Sequence, residues 1–303
     1  MIEQLKKQGV SSTLLDEVIA FKKQYGLEDS LKNRIPNLEF LYLGPEVWEM
    51  AISAILEGSH ILLTGPKATG KNVLSDNLST LFARPQWNMS LHINMDSSNL
   101  LGTDTFQDGA VVFRPGPIYS TAEYGGFGIL DEINMAKNES LSVIHSALDY
   151  RRIIDVPGYH SISLHEATRF IATMNYGYAG TRELNDALLS RFLIIEMPSI
   201  SEEHLYQILK DRFSLTDQGL YLFTQLFLDL QDKSLNSEIS SKPIDLRGLL
   251  SAIGTIERGL NVHKALDMGL VNKTFDPYEK ELIRDVVGTL FPKRISNDKL
   301  FVR

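Results

Sequence analysis

The feature that most constrains this chain is a glycine-bearing loop placed between an apolar run and a helical pattern. Residues 59–64 (SHILLT) form a short apolar run that is typical of a buried parallel strand. Gly65-Pro66-Lys67-Ala68-Thr69-Gly70-Lys71 follows at once and matches the pattern GxxxxGK. Helical spacing of apolar residues then begins and continues over 72–84. A strand that passes through such a loop into a helix predicts a phosphate-binding site in a parallel α/β fold.

Each residue type in this loop has a physical reason to hold phosphate. Glycines let backbone N–H groups curl around a phosphate without a Cβ clash, and the helix N-terminus adds partial positive charge. Lys71 places a point charge against the β- and γ-phosphates of a nucleotide. The alternative is a glycine turn that binds nothing. The predicted nucleotide-binding residues here are Gly65, Pro66, Lys67, Ala68, Thr69, Gly70, Lys71, Asn72 and Val73.

One position departs from the usual pattern. The residue after the lysine should be Ser or Thr, whose hydroxyl coordinates Mg²⁺, and here it is Asn72. An amide oxygen is a neutral, hard ligand and could take the same place. It is also longer, so the alternative is weakened Mg²⁺ binding and weakened hydrolysis.

A second apolar run ends in two acids. Residues 127–130 (FGIL) lead into Asp131 and Glu132. Because ligands bind at the carboxyl ends of parallel strands, Asp131 is expected to hold Mg²⁺ and Glu132 to polarise the attacking water as general base. The alternative for Asp131 is an ordinary helix N-cap.

Three further polar residues complete the predicted site. Asn175 ends the apolar run 169–174 and is expected to contact the γ-phosphate and the lytic water, although Asn is also a common turn residue. Arg191 precedes the run 192–196 and is expected to stabilise charge in a neighbouring subunit's site, unless it only contacts its own helix C-terminus. Arg247 is a candidate nucleotide contact from a later helix, with a solvated surface arginine as the alternative.

Along the whole chain, candidate strands alternate with helical stretches, notably 139–150, and predict a parallel sheet covered on both faces. The second candidate strand along the chain is 91–95, and two inserted β-hairpins are expected at 110–118 and 152–164. After Pro198 only helical patterns remain. The predicted domains are an N-terminal helical extension (1–40), an α/β nucleotide-binding core (41–199) and a helical domain (200–303).

Composition narrows the classes of protein. Of 303 residues, 43% are apolar and 22% are charged, which is typical of a globular chain. There is no cysteine, which excludes disulfides and is consistent with the expected cytoplasmic location. No leader or membrane-spanning segment is expected. The net charge of −8 argues weakly against nonspecific binding to nucleic acid.

The order of these features resembles the AAA+ superfamily, and three strings resemble its MoxR-like members and their dynein-related relatives. They are Val112-Phe113-Arg114-Pro115-Gly116-Pro117 with Leu130-Asp131-Glu132-Ile133-Asn134, then Ala172-Thr173-Met174-Asn175, then 180–192 (GTRELNDALLSRF). The match covers about 45–196 well and the helical domain more loosely, and residues 1–40 lie outside it.

This resemblance implies a P-loop AAA+ core with a five-stranded parallel sheet, pore-facing hairpin inserts and a C-terminal helical lid. It implies a hexameric ring that uses ATP and Mg²⁺ to remodel or activate a partner protein in a chaperone-like way, often with a von Willebrand factor A domain protein. Asn72, Met135 and Leu189 depart from the family pattern. Two alternatives stay open: a nucleotide-binding assembly scaffold with little hydrolysis, and a nucleic-acid motor or GTP-dependent restriction subunit.

Overall fold

The computed structural model describes residues 1–137, 140–156, 158–175 and 183–302. The chain divides into two compact units. One comprises Met1–Pro66 and Gly70–Pro198, and the other comprises Lys67–Thr69 and Ser199–Arg303. Among helices built from the described residues, none combines the length and apolar character needed to cross a membrane.

The first unit contains all the strands that the structure describes. They are β1 (His60–Gly65), β2 (Gln86–Ser90), β3 (Gly102–Gln107), β4 (Ala110–Pro115), β5 (Phe127–Asp131), β6 (Ile153–Ile154), β7 (Ile162–Ser163), β8 (Arg169–Asn175) and β9 (Phe192–Glu196). Five of them form one parallel sheet in the order β2-β5-β8-β1-β9, while β3 pairs with β4 and β6 with β7 in two antiparallel hairpins. The predicted five-stranded parallel sheet with hairpin inserts is therefore confirmed.

Helices cover the sheet in the first unit and make up the second. In the first unit they are α1 (Ile2–Gln8), α2 (Ser12–Gln24), α3 (Pro45–Leu56), α4 (Lys71–Leu81), α5 (Ser97–Leu101), α6 (Pro117–Glu123), α7 (Ser142–Ala147) and α8 (Asp186–Leu189). In the second they are α9 (Glu202–Arg212), α10 (Asp217–Leu235), α11 (Leu246–Glu257), α12 (Val262–Gly269) and α13 (Pro277–Leu290). The predicted helical C-terminal part is confirmed.

The sheet is buried on both faces, because alternate residues of each strand point to opposite sides. In β1, Ile61 and Leu63 belong to one apolar cluster and Leu62 belongs to the other. The first cluster also contains Leu5 and Leu15, so helices α1 and α2 are built into the core of the first unit. Residues 1–24 therefore contribute to the apolar core on one side of the sheet.

A buried arginine joins the N-terminal segment to the rest of the first unit. Arg84 is 1% exposed, and its guanidinium donates hydrogen bonds to the carbonyl oxygens of Tyr25, Gly26, Tyr124 and Gly125. Burial lowers the pKa of Arg84 to about 10. Carbonyl partners satisfy its N–H groups at a buried position, where an unsatisfied donor would cost free energy.

The prediction of a strand over 91–95 is wrong, because the second strand is β2 (Gln86–Ser90). This strand lies at the edge of the sheet, and its exposed Asn88 and Ser90 break the apolar run expected of an interior strand. Trp87 and Met89 alternate with them and are buried. In the sequence, this strand is indicated only by the alternation of Trp87 and Met89 with polar residues.

The hairpin predicted over 110–118 exists, but its bounds are wrong. Its first strand is β3 (Gly102–Gln107), and Pro117 begins helix α6. Strand β3 is largely exposed and lacks an apolar alternation, so its sequence carries little strand signal. The Asp108-Gly109 turn, with both φ angles positive, closes the hairpin.

The other predicted bounds shift by a few residues. The hairpin predicted over 152–164 is reduced to the short β6–β7 pair. The helix predicted over 139–150 corresponds to α7 (Ser142–Ala147), and its predicted first residue, Glu139, lies outside the described residues, as do Gly180, Thr181 and Arg182 of the family-like string.

The second unit is a helical bundle with its own core. Two of its helices, α11 and α12, approach closely where Gly248 faces Gly269. A Cβ atom on Gly248 would lie only 2.1 Å from the carbonyl oxygen of Gly269, so the approach requires glycine. Phe223 and Phe291 pack with ring centroids 5.1 Å apart. Asp245 and Lys273 form an ion pair of 2.8 Å at the start of α11.

Candidate functional site

The central strands bring the predicted site residues to one edge of the sheet. Strand β8 lies between β1 and β5, and all three run parallel. The register places Gly65 beside Asn175 and Leu130 beside Ala172. The glycine loop, the two acids and Asn175 therefore all begin at the carboxyl ends of adjacent strands, which is where parallel sheets bind ligands.

Backbone geometry explains why glycine stands at both ends of the loop. Gly65 has φ +146°, and a Cβ atom there would lie 2.7 Å from the carbonyl oxygen of Met197. Gly70 is left-handed at φ +84°, and its Cβ would lie 3.1 Å from the ring of Tyr42. Any other residue at these two positions would be strained or would clash.

Helix α4 also holds the segment that packs on Gly70. The side chain of Asn77 accepts a hydrogen bond from the Tyr42 N–H (2.8 Å) and donates one to the Phe40 carbonyl (2.8 Å). From the N-terminal helix α1, Gln8 donates to the Tyr42 carbonyl (3.2 Å) and accepts from the Gly44 N–H (3.3 Å). The loop thus rests against a segment that α1 and α4 hold from two sides.

Lys71 is the buried cation of this site. Its Nζ donates to the carbonyl oxygens of Gly65 (2.9 Å) and Pro66 (2.7 Å), and the residue is 6% exposed. Burial lowers its pKa from 10.5 to about 8, although Asp131 and Glu132 favour the charged form and oppose this shift. A phosphate anion would stabilise the ammonium further.

Asn72 and Asp131 lie in direct contact. Asn72 Nδ2 donates a hydrogen bond to Asp131 Oδ2 at 3.2 Å, and this bond joins helix α4 to the end of strand β5. The other carboxylate oxygen, Oδ1, accepts a hydrogen bond from the Thr173 hydroxyl at 2.5 Å. Each oxygen of Asp131 therefore has one fixed donor and keeps a further lone pair, and the Asn72 amide also has an oxygen, so both side chains carry atoms suited to a metal.

Glu132 follows in an uncommon backbone conformation. Its φ is +54° and its ψ is +49°, the left-handed region that side chains with a Cβ seldom adopt. The Thr173 hydroxyl accepts a hydrogen bond from the Glu132 N–H at 3.1 Å, and Asn175 Nδ2 donates to Glu132 Oε1 at 3.4 Å. Asn134 Nδ2 in turn donates to the Asn175 carbonyl at 2.9 Å. The carboxylate of Glu132 is therefore oriented toward the strand end that carries Asn175.

The donor set suits Mg²⁺ bound together with phosphates. Mg²⁺ prefers oxygen ligands and is usually held by one or two carboxylates plus substrate phosphates and water. The side chains of Asp131 and Asn72 both carry such oxygens. The two side chains are adjacent, since Asn72 Nδ2 lies 3.2 Å from Asp131 Oδ2. Within the described ranges, no group of three or more His, Cys, Asp and Glu side chains could hold a metal by itself. The residues present therefore fit a metal that shares its ligands with a nucleotide.

Arg191 contacts its own chain. It follows α8 and lies before β9, and its guanidinium donates to the Ala187 carbonyl of that helix. A second nitrogen lies 3.7 Å from Asp149 Oδ2, a carboxylate that Arg151 also contacts at 2.8 Å. These two arginines lower the pKa of Asp149, with Arg151 as the larger cause. The helix C-terminal contact considered from the sequence is thus present.

Arg247 lies in the second unit. It is exposed and occupies the second position of helix α11. Its role in nucleotide contact stays a prediction.

Sequence reasoning missed Thr173 and Asn134 as members of this hydrogen-bonded group. Thr173 is 1% exposed and sits within an apolar strand, where a threonine is commonly a β-branched packing residue. The available signal was its position two residues before Asn175, since residues i and i+2 of a strand share a face.

Comparison with known proteins connects this geometry to a family. A family model for the AAA domain (dynein-related subfamily) matches residues 60–192, a segment with every predicted site residue except Arg247. YojN of Bacillus subtilis is 33% identical over 247 residues, which cover 80% of this chain and 81% of YojN. A relative from Staphylococcus saprophyticus is 30% identical over 268 residues, covering 84% of this chain and 99% of that protein. A solved structure from Cytophaga hutchinsonii is 15% identical, covers 93% of this chain and 94% of that one, and has a TM-score of 0.47.

The lowered pKa of Lys71 predicts a pH-dependent affinity for ATP. Only the ammonium form attracts phosphate, and its folded-state pKa is about 8. Full affinity is therefore expected below pH 8, with a loss as the pH rises through that value. Linkage predicts a Kd about tenfold higher at pH 9 than at pH 7. Calorimetric titration with ATP across this range measures the change.

Lys71→Arg is the matched control, because a guanidinium keeps its proton throughout this range. Its affinity for ATP should be lower overall and flat between pH 7 and pH 9. A flat profile for the wild-type protein would contradict the proposed state of Lys71.

Proposed function

Because this chain belongs to the AAA domain family, in its dynein-related subfamily, we propose that it binds ATP with Mg²⁺ at the glycine loop and hydrolyses the γ-phosphate. One observation carries the proposal: five polar residues meet at the carboxyl ends of β1, β5 and β8. They are Lys71, Asn72, Asp131, Glu132 and Asn175.

Each residue has a role that follows from its chemistry and place. The loop from Gly65 to Lys71 binds the phosphates through backbone N–H groups and the Lys71 ammonium. Asp131 and Asn72 would hold Mg²⁺, which when bound neutralises charge on the phosphate oxygens. Val73 belongs to the same loop and helix start, and Arg247 is proposed as a further nucleotide contact.

Glu132 is proposed as the general base. Its carboxylate accepts a hydrogen bond from Asn175, so one oxygen is oriented and the other is available to take a proton from water. Asn175 has a second role in this proposal, since an amide donor can also reach the γ-phosphate oxygen beside that water. The negative charge that builds on the phosphoryl group is stabilised by Lys71.

The central test is steady-state ATP turnover. Wild-type protein is expected to turn over ATP with Mg²⁺, and Glu132→Gln is expected to slow turnover about 10²-fold or more while keeping nucleotide affinity. Glu123→Gln, a change of the same kind at an exposed helix position outside the site, serves as the control. Equal turnover in wild type and Glu132→Gln would remove Glu132 from the mechanism.

A second candidate function, a nucleotide-binding scaffold, is tested by substitution of Asn72. Its direct hydrogen bond to Asp131 supports a nucleotide-binding assembly scaffold in which hydrolysis is weak. In the same assay, an Asn72→Thr variant should turn over ATP at a rate similar to wild type if the amide oxygen is an adequate metal ligand. A silent wild type beside an active Asn72→Thr protein would instead establish the scaffold.

We further propose that the active form is a ring, with a hexamer as the expected size, and that Arg191 acts in the site of the neighbouring subunit. Arg191 is held at a helix C-terminus by Ala187 and Asp149, and its side chain is 29% exposed. The contacts to its own chain orient it without burying it.

A subunit-mixing experiment tests this role. Arg191→Ala has an intact phosphate loop, and Lys71→Ala has an intact arginine, so each alone should be inactive. Mixed rings should regain part of the wild-type turnover, because one subunit supplies the arginine and its neighbour supplies the loop. Mixtures without activity, or sedimentation as a monomer at every concentration with ATP and Mg²⁺, would contradict a role across subunits.

The finer proposal is a MoxR-type activity that remodels or activates a partner, with a von Willebrand factor A domain protein as the candidate partner. The β3–β4 hairpin supports it, since Phe106 is 77% exposed and Val111 is 64% exposed. Apolar groups left on a surface in this way are typical of sites that contact other proteins. The net charge of −8 supports a protein partner over a nucleic acid.

Co-purification tests the partner proposal. Glu132→Gln protein, which is expected to retain ATP, should hold a co-produced von Willebrand factor A domain protein more strongly with ATP than without it. The matched control adds Phe106→Ser and Val111→Ser, which should abolish this retention. Retention that is independent of both ATP and the hairpin would contradict the proposal, and duplex DNA binding at moderate salt would favour the nucleic-acid alternative.

A further inference from the structure

The buried hydroxyl of Thr173 lies between the two acidic residues of the site. Thr173 stands on β8, one strand away from the β5 end that carries Asp131 and Glu132. Its Oγ1 donates to Asp131 Oδ1 at 2.5 Å and accepts from the Glu132 N–H at 3.1 Å. Only 1% of the residue is exposed, so water does not compete for these contacts.

The direction of both hydrogen bonds follows from the groups involved. An ionised carboxylate can only accept, so the hydroxyl proton must point to Asp131. A backbone N–H can only donate, so it uses a lone pair of the same oxygen. One hydroxyl therefore fixes the side chain of Asp131 and the backbone of Glu132 together.

Glu132 has a particular need for such a contact. Its left-handed backbone, at φ +54°, is uncommon for a residue with a side chain and persists only where the surroundings hold it. The Thr173 oxygen satisfies its N–H in that conformation. Asn175 then meets the Glu132 carboxylate from the same face of β8.

We propose that Thr173 is a positioning residue that couples the metal-binding carboxylate of Asp131 to the orientation of Glu132. Its buried hydroxyl contacts Asp131 and Glu132, and it acts through these two residues. The inference rests on the proposed Mg²⁺-dependent nucleotide site and adds a residue to which the sequence pattern assigned no role.

The proposal is tested with Thr173→Val, which keeps the β-branched shape and removes the hydroxyl, and Thr173→Ser, which keeps the hydroxyl. Binding of the fluorescent nucleotide mant-ATP is titrated with Mg²⁺. The Mg²⁺ concentration at half-saturation should rise about 10-fold or more in Thr173→Val, the usual effect of removing a group that orients a metal ligand. Thr173→Ser should stay within about twofold of wild type, a difference well below the scale of that effect.

Thr168→Val controls for the loss of a buried hydroxyl as such. Thr168 is 0% exposed, stands directly before the other end of β8, and donates its hydroxyl hydrogen to the Thr121 carbonyl at 3.1 Å. It should lower thermal stability as Thr173→Val does and leave the Mg²⁺ midpoint unchanged. An equal shift in both variants would assign Thr173 a structural role only and overturn the proposal.

A double-variant comparison shows whether Thr173 acts through Asp131. In an Asp131→Asn background, adding Thr173→Val should produce no further shift of the Mg²⁺ midpoint. An additive shift would overturn the coupling. If Thr173→Val fails to fold, Thr173→Ala replaces it in the same titrations.

Failure of the proposed function is distinguishable in these measurements. If the wild-type protein binds mant-ATP with Mg²⁺ but shows no turnover, the proposed ATP hydrolysis is excluded. The Mg²⁺ titrations of the Thr173 variants still test the inference in that case, because they measure binding alone. An unshifted midpoint in Thr173→Val, beside normal wild-type turnover, would overturn the inference alone.

Discussion

Strand β8 pairs with β1 on one side and with β5 on the other, and the positions of the site residues depend on this double pairing. Because the three strands are parallel, their carboxyl ends lie at one edge, and the register sets Asn175 beside Gly65. The hydroxyl of Thr173 and the amide of Asn175 then reach the acids at the end of β5. A shift of one residue in this register would turn both side chains to the opposite face of the sheet.

Burial and hydrogen bonding together set the chemical state of the site. Burial removes water from the Lys71 ammonium and lowers its pKa to about 8. Two loop carbonyls and two nearby acids partly compensate for the lost hydration of this charge. A buried donor without partners would cost free energy, and these carbonyl contacts avoid that cost. A phosphate could offer the same ammonium stronger, charged acceptors. The polar groups are thus arranged around a position suited to an anion, and the Asn72–Asp131 contact adds oxygens suited to a metal beside it.

Much of the fold was predictable because local patterns carry it. Strand β9 was predicted at its observed bounds, and β5 and β8 each extend one residue further, since interior parallel strands are continuous apolar runs between turn residues. The edge strand β2 was misplaced, because Asn88 and Ser90 face solvent and interrupt that signal. Strand β3 was missed, because a largely exposed strand has no apolar side to reveal it.

The sequence by itself determined the local features of the candidate site: a glycine loop ending in Lys71, an apolar strand ending in Asp131 and Glu132, and Asn175 after another strand. These signals are local, because each depends on residues adjacent along the chain. Tertiary structure decided the rest. It made Thr173 a partner of both acids, placed Asn72 against Asp131, and built α1 and α2 into the core. Such contacts join residues tens of positions apart, and they arise only when sheet pairing and burial bring distant segments together.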